Sequence, residues 1–216
     1  MEKSAKLGKL TLLNIILFGF IGQVAWAVEN NFFNTFLFSF GGTTKDISTM
    51  VAASAVVAVV TTFVMGTLSD KLGRRKVFIC AGYVAWGITV MAFAFISREN
   101  LGKLIGADPS SAAALSATVT TVIVMDCIMT FMGSTSNDSA FNAWITDVTV
   151  PSNRAKTEGL LAILPVLALV IVTGVFGFIA GDDAQASDYA TCFLGLGILV
   201  IICGIVGIFT IKDTGS

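Results

Sequence analysis

The 216-residue chain contains no histidine, and only 12% of its residues are charged. The first absence removes the side chain that proton relays, metal sites and Ser–His nucleophiles most often use, so proton chemistry here falls to carboxylates or water. The second excludes an ordinary soluble domain, in which about a quarter of residues are charged. Cysteine is scarce: Cys80, Cys127, Cys192 and Cys203 all fall inside apolar runs without metal-ligand spacing, so they read as buried packing and not as disulfides or a metal site. Period-two alternation is missing too, which argues against a transmembrane barrel. A rhomboid-type protease lacks its histidine. An intramembrane aspartyl protease lacks its Gly-x-Gly-Asp element, because Gly181-Asp182 has no first glycine. A filter-like loop or charged ring of the kind a channel needs is not visible. We therefore expect no catalytic residues, no cofactor, no metal and no nucleic-acid partner.

What the chain has is apolar length. Hydrophobic residues make up 55%, the mean hydropathy is +0.87, and runs of about twenty apolar residues recur, the length that crosses a bilayer as helix. The first run, 10–28, is too long for the core of a cleavable signal peptide and no small-residue cleavage site follows it. Six spans are expected, at about 10–34, 47–67, 77–97, 115–146, 159–180 and 189–211, with 212–216 beginning a tail or central loop. The fold class is an all-α membrane protein of six transmembrane helices, since a helix satisfies its own backbone in lipid. Pro165 should kink the fifth span. Glycines 174, 177, 181, 195, 197, 204 and 207 should give the last two helices smooth packing faces.

Lysine and arginine in the connections set the orientation. One side takes ten of them, Lys3, Lys6, Lys9, Lys71, Arg74, Arg75, Lys76, Arg154, Lys156 and Lys212. The other takes three, Lys45, Arg98 and Lys103, together with a solvated acidic cluster, Asp182, Asp183 and Asp188. Both termini are therefore expected in the cytoplasm, in a multi-pass protein of the plasma membrane.

The connection between the second and third spans reads Gly66-Thr-Leu-Ser-Asp70-Lys71-Leu-Gly73-Arg74-Arg75-Lys76. Gly66 permits close backbone approach, Gly73 can take φ > 0 in a tight turn, and Asp70 is spaced to pair with Arg74 four residues on. The pattern Gly-x-x-x-Asp-[Arg/Lys]-x-Gly-Arg-[Arg/Lys] resembles the loop-2/3 signature of the major facilitator superfamily at every fixed position. A second stretch, Asp147-Val-Thr149-Val-Pro151-Ser-Asn-Arg154 followed by Gly159, looks like the facilitators' loop-4/5 region. It is closest to sugar–cation symporters and sucrose-type members. The resemblance implies an amino-terminal six-helix half bundle of a secondary active transporter. It also implies a cytoplasmic gate drawn from Gly66, Asp70, Gly73, Arg74, Arg75, Asp147 and Arg154; solvated loop charges are the alternative. The second bundle would be supplied by the rest of a longer chain or by a second copy of this one.

Polar groups deep in a span are costly and point to function. At 100° per residue, Gln23, Asn30 and Asn34 share a narrow stripe with Trp26 at its edge, while Glu29 lies further round. Amides beside an indole suit a polyhydroxylated solute; alternatively Glu29 and Asn30 merely end the helix at the water interface. In the fourth span Asp126, Thr130, Gly133 and Asn137 share one face, and Asp138 and Asn142 another. Gln23, Trp26, Glu29, Asn30, Asn34 and Asn137 are the substrate candidates. Asp126 and Asp138 are the proton-coupling candidates, because burial of a carboxylate favours its protonated form; Asp138 as a packing residue bonded to Asn142 or to a neighbouring helix is the structural alternative. The second span lacks the cation-binding acids of melibiose-type relatives, so a proton is expected and sodium less so. The partners expected are a small-molecule solute, a proton and the lipid bilayer. Uptake of a sugar or glycoside leads. Export of drugs or other organic solutes, or a non-transporting half bundle, stands behind it.

Overall fold

In a computed structural model, residues 7–179, 184 and 186–212 are described, and among them every regular element is helical. The long helices are α1 (Lys9–Ser39), α2 (Thr44–Leu72), α3 (Arg75–Ala92), α5 (Ala112–Gly133), α7 (Pro151–Ile179) and α8 (Ala186–Thr210). A 3₁₀ turn (Phe93–Phe95) extends α3, and a short α4 (Arg98–Ile105) precedes α5. A π-helical stretch, Ser134–Phe141, and α6 (Asn142–Val148) then continue α5 as one rod. Six of the helical stretches are long and apolar enough to cross a membrane. They alternate in direction, so Lys9, the 71–76 turn, Arg154 and Lys212 gather at one end, the basic end.

Local chemistry sets most boundaries. Thr43 and Asp46 form a reciprocal capping box that starts α2, the Asp46 carboxylate accepting from the Thr43 N–H at 2.8 Å. Gly73 ends α2 in the left-handed region, φ 60°, where a side chain would be strained. Ser97 and Ser111 cap α4 and α5. The helices overrun the expected spans: α1 runs to Ser39, and α7 begins at Pro151, eight residues earlier than the expected 159. Proline suits the first helical position because the N–H it lacks would have no partner there. The expected 147–154 loop shrinks accordingly: Asp147 belongs to α6 and Arg154 to α7. Helix α4 is an addition to the expected spans, although its Ser97 cap and terminal Gly106 (φ 68°) flank it in the sequence. Helix α7 continues unbroken through Pro165.

Helix α3 packs most closely against α8. It meets α8 at backbone contact: a methyl on Gly204 would lie 2.9 Å from the Cys80 carbonyl, and one on Gly87 2.6 Å from the Gly197 carbonyl. The smooth face expected of α8 is thus real at Gly197, Gly204 and Gly207, but it packs on α3 and Phe18. Gly174, Gly177 and Gly195 face open space instead, and Gly181 lies outside the described residues. Away from the basic end, Phe33, Phe36, Phe93, Tyr189 and Phe193 form an aromatic cluster with centroids 4.5–6.4 Å apart. By contrast α2 and α7 expose Val59, Phe63, Val170 and Phe178, apolar side chains that a bilayer would cover.

Candidate functional site

The residues that place a site are those of the π-helical stretch. Its sequence, Ser-Thr-Ser-Asn-Asp-Ser-Ala-Phe, is rich in short polar side chains that compete for backbone partners. Thr135, Ser136 and Ser139 donate to the carbonyls of Phe131, Met132 and Thr135, four residues back, at 2.6–2.8 Å. A π turn carries extra chain per turn, so it rotates the residues downstream of it relative to an α-helix; such turns recur at functional sites. The rotation exchanges two neighbours. Asn137, expected on the face of Asp126, turns into the core, where its Oδ1 lies 2.9 Å from the Tyr83 hydroxyl. That hydroxyl also donates to the Phe18 carbonyl at 2.7 Å, and Gly22 leaves the room: a methyl there would sit 2.5 Å from Asn137 Oδ1. Asp138, expected on another face, turns into a cavity.

The cavity, about 420 Å³, opens to the surface of the bundle between α1, α2 and the α5 rod. One wall is Gln23, Trp26, Glu29, Asn30, Thr130 and Asp138. The other belongs to α2, with Val51, Ser54, Ala55 and Ala58. Glu29 is 20 residues from the start of α1, roughly 30 Å along it at 1.5 Å per residue, so the cavity lies past the middle of the bundle. Asp138 accepts from Ser134 Oγ at 3.0 Å and from Asn137 Nδ2 at 3.4 Å, with the Trp26 indole N–H also in reach. The Trp26 ring is held by Trp86, centroids 4.9 Å apart, over Gly133, which has no space for a methyl. Thr130 Oγ1 donates to Glu29 Oε1 at 3.2 Å. Asp126 is 1% exposed and lies behind this wall, near Ser54 and Glu29. Among the described residues no lysine or arginine pairs with any of the three acids, and every ion pair formed lies elsewhere. Among those same residues, no group of three His, Cys, Asp or Glu converges on a metal position.

At the basic end Arg75 ties three segments together. Its Nε donates to Asp147 of α6, and its Nη1 to Asp70 and, at 3.2 Å, to Ser69 Oγ. A cation in the first turn of a helix opposes the helix dipole, and the two carboxylates offset that cost. Arg154 is bound separately, with Nε on Thr149 Oγ1 (3.2 Å) and Nη2 on the Thr146 carbonyl (3.0 Å).

A family model described as Major Facilitator Superfamily matches residues 14–216. The chain belongs to that superfamily. No curated protein and no solved structure matches it. Membership makes it a multi-pass membrane protein of a transporter family, with the all-α, six-span architecture of a facilitator half bundle.

Within this facilitator, four of the six substrate candidates meet at the cavity: Gln23, Trp26, Glu29 and Asn30. Asn34 and Asn137 do not line it. Glu29, set apart by helical angle alone, in fact faces Thr130, because α1 packs its Trp26–Glu29 side towards the α5 rod. Asn142 bonds the Asp138 carbonyl, not its carboxylate. At the motif, Asp70 pairs with Arg75 instead of Arg74, which is exposed. The reason is Gly73: once α2 ends there, the four-residue helical spacing from Asp70 no longer holds. Gly66 faces Ser139 with ordinary clearance, 3.7 Å for an added methyl, so no close approach depends on it here. Tyr83, Trp86 and Trp144 are core residues. Sequence reasoning misses Ser54, Ala55 and Ala58 of α2, although small residues four apart are a legible sign of a wall with room beside it.

Proposed function

We propose that this facilitator is a secondary active transporter of the plasma membrane that takes up a sugar or glycoside together with a proton by alternating access. The observation that carries the reading is the cavity wall itself, where amides, an indole and carboxylates converge between helices long and apolar enough to cross a membrane. Gln23 and Asn30 supply donors and acceptors for hydroxyl groups, Trp26 supplies an apolar face for a sugar ring, and Asp138 supplies a strong acceptor. Acids without a basic partner provide the proton-carrying group, and the absence of Lys or Arg from the wall disfavours an anionic solute. The basic end faces the cytoplasm in this reading, and the Asp70–Arg75–Asp147 cluster holds that side closed. An open cavity on one half bundle calls for a second six-helix unit opposite, either the other half of a longer chain or a second copy. A second reading, export of small organic solutes, draws on the apolar part of the α2 wall, Val51, Ala55 and Ala58.

The test is uptake into proteoliposomes, with labelled sugars, glycosides and cationic drugs compared under imposed pH or sodium gradients. Accumulation of a sugar that collapses with the pH gradient supports the reading. Drug efflux, or uptake driven by sodium alone, overturns it. Single cysteines at Lys71 and Lys103 should label from opposite sides, Lys71 from the cytoplasm; the reverse pattern would overturn the orientation.

A further inference from the structure

Glu29 lies within electrostatic reach of both Asp126 and Asp138, and the structure treats the three carboxylates differently. Asp138 has its donors in Ser134, Asn137 and Trp26. Glu29 Oε2 and Asp126 Oδ1 are fully enclosed and have no hydrogen-bond partner among the described residues. The two residues interact electrostatically across the α1–α5 contact. Thr130 holds the other oxygen of Glu29, and Ser54 lies beside Asp126. Glu29 lines the cavity; Asp126 does not.

An enclosed acceptor oxygen with no donor is costly, and two carboxylates that each carry one and repel each other without a cation are more so. One proton resolves both: it turns one carboxylate into a donor and the other into its acceptor. We propose that Glu29 and Asp126 share a single proton and form the coupling site of the transporter, with Glu29 the exchange point to the cavity and Asp126 the protected store. This deepens the proton-coupled reading above and rests on it. It also reassigns roles, Glu29 moving from solute binding to coupling and Asp138 from coupling to solute binding. The step moves one proton between an O–H of one carboxyl and an oxygen of the other, and nothing else is made or broken. The groups facing the pair are Asp138 from the π-helical stretch, Cys127 from α5 and Ser54 from α2; none is basic.

The test needs no solute. Infrared spectra of the purified full chain in liposomes, titrated with pH, report the carbonyl stretch of protonated carboxyl groups. A band lost in Asp126→Asn or Glu29→Gln identifies the pair. Sharing predicts that each single substitution moves the remaining partner's titration midpoint by about one pH unit or more, while Asp138→Asn leaves the band in place. Asp126→Glu, which keeps the carboxyl, should retain a band and so separates loss of the proton from loss of the fold. Independent titration of the two groups overturns the proposal, as does a band that sodium abolishes at constant pH, which would make the pair a cation site. If the bands couple but no pH-driven uptake exists, the functional reading fails and the pair stands. If uptake is proton-driven while the bands titrate independently, only the pair fails.

Discussion

The molecule keeps the acids around its cavity and those at its basic end in opposite states of completion. At the basic end Asp70 and Asp147 both meet Arg75, whose side chain is only 15% exposed, so each of these acids has a cationic partner within the chain. At the cavity wall and just behind it, Glu29, Asp138 and Asp126 meet hydroxyls, an amide and an indole but no cation among the described residues. A cluster in which every acid has a cationic partner serves to hold three helix ends in one arrangement. A cluster without one is left with capacity for a proton or a hydroxylated solute. The difference teaches that charge count along the sequence says little about function in a membrane protein. Which charges find partners inside the chain says much more.

The largest expected effect comes from removing the shared cation of the basic-end cluster. Arg75→Ala leaves Asp70 and Asp147 without their shared donor, and bonds to charged groups contribute about 1.5–3 kcal/mol each before a large discount for solvent screening at the exposed Asp70. Uptake should fall about tenfold or more, whereas Arg74→Ala should change it less than about twofold. Equal losses in the two variants would show that the motif acts through general positive charge and not through this pairing. Next comes the exchange of neighbours made by the π-helical stretch. Asp138→Asn should raise the half-saturating solute concentration about tenfold with little change in melting temperature, because the cavity side chain loses a charge-assisted acceptor. Asn137→Asp should do the reverse, lowering the melting temperature by placing a charge in the core against Tyr83. If the two variants behave alike, the rotation assigned to the stretch is wrong.

A smaller effect separates the core network from the site it supports. Tyr83→Phe removes the hydroxyl shared by the Phe18 carbonyl and Asn137, leaving a buried acceptor short of a donor at a cost of about 1 kcal/mol. The melting temperature should drop by a few degrees with solute affinity retained. Asn34→Ala, outside the cavity, should leave both unchanged. A loss of affinity in Asn34→Ala would restore the single amide stripe that helical periodicity suggests.

Much of this architecture is legible in the sequence. Six apolar lengths and the distribution of Lys and Arg suffice for an all-helical, six-span reading, because lipid leaves the backbone few alternatives. The stripe on the first span is legible because α1 is a regular helix through Asn34, so Gln23, Trp26 and Asn30 keep their angular relation. Asn137 and Asp138 are not, because assigning them to faces assumes 100° per residue across a stretch that is not α-helical. The polar run 134–139 is the visible warning, since short hydroxyl and amide side chains so often bend or widen a helix. The Arg75 pairing is hidden for a related reason: helical spacing does not carry across Gly73, where the helix stops. The α2 wall escapes notice because its contribution is the absence of bulk, and a search for polar side chains does not see absence.

The motif's two glycines give the smallest and most discriminating comparison. Gly73 adopts φ 60°, ψ 19°, and its N–H closes the turn onto the Ser69 carbonyl at 3.0 Å. An alanine there must be held in the left-handed region, at about 1 kcal/mol, and the strain acts where Asp70 and Arg75 meet. Gly66 lies within regular α2 and has 3.7 Å of clearance for a methyl. Gly66→Ala should therefore be neutral or slightly stabilising, because alanine favours the helix by roughly 0.5–1 kcal/mol when nothing is displaced. Gly73→Ala should lower the melting temperature by a few degrees and slow uptake, and Gly66→Ala should do neither. If Gly66→Ala instead slows uptake while leaving the melting temperature unchanged, the α2–Ser139 contact must tighten during the transport cycle, and the glycine matters in an arrangement of the helices other than this one.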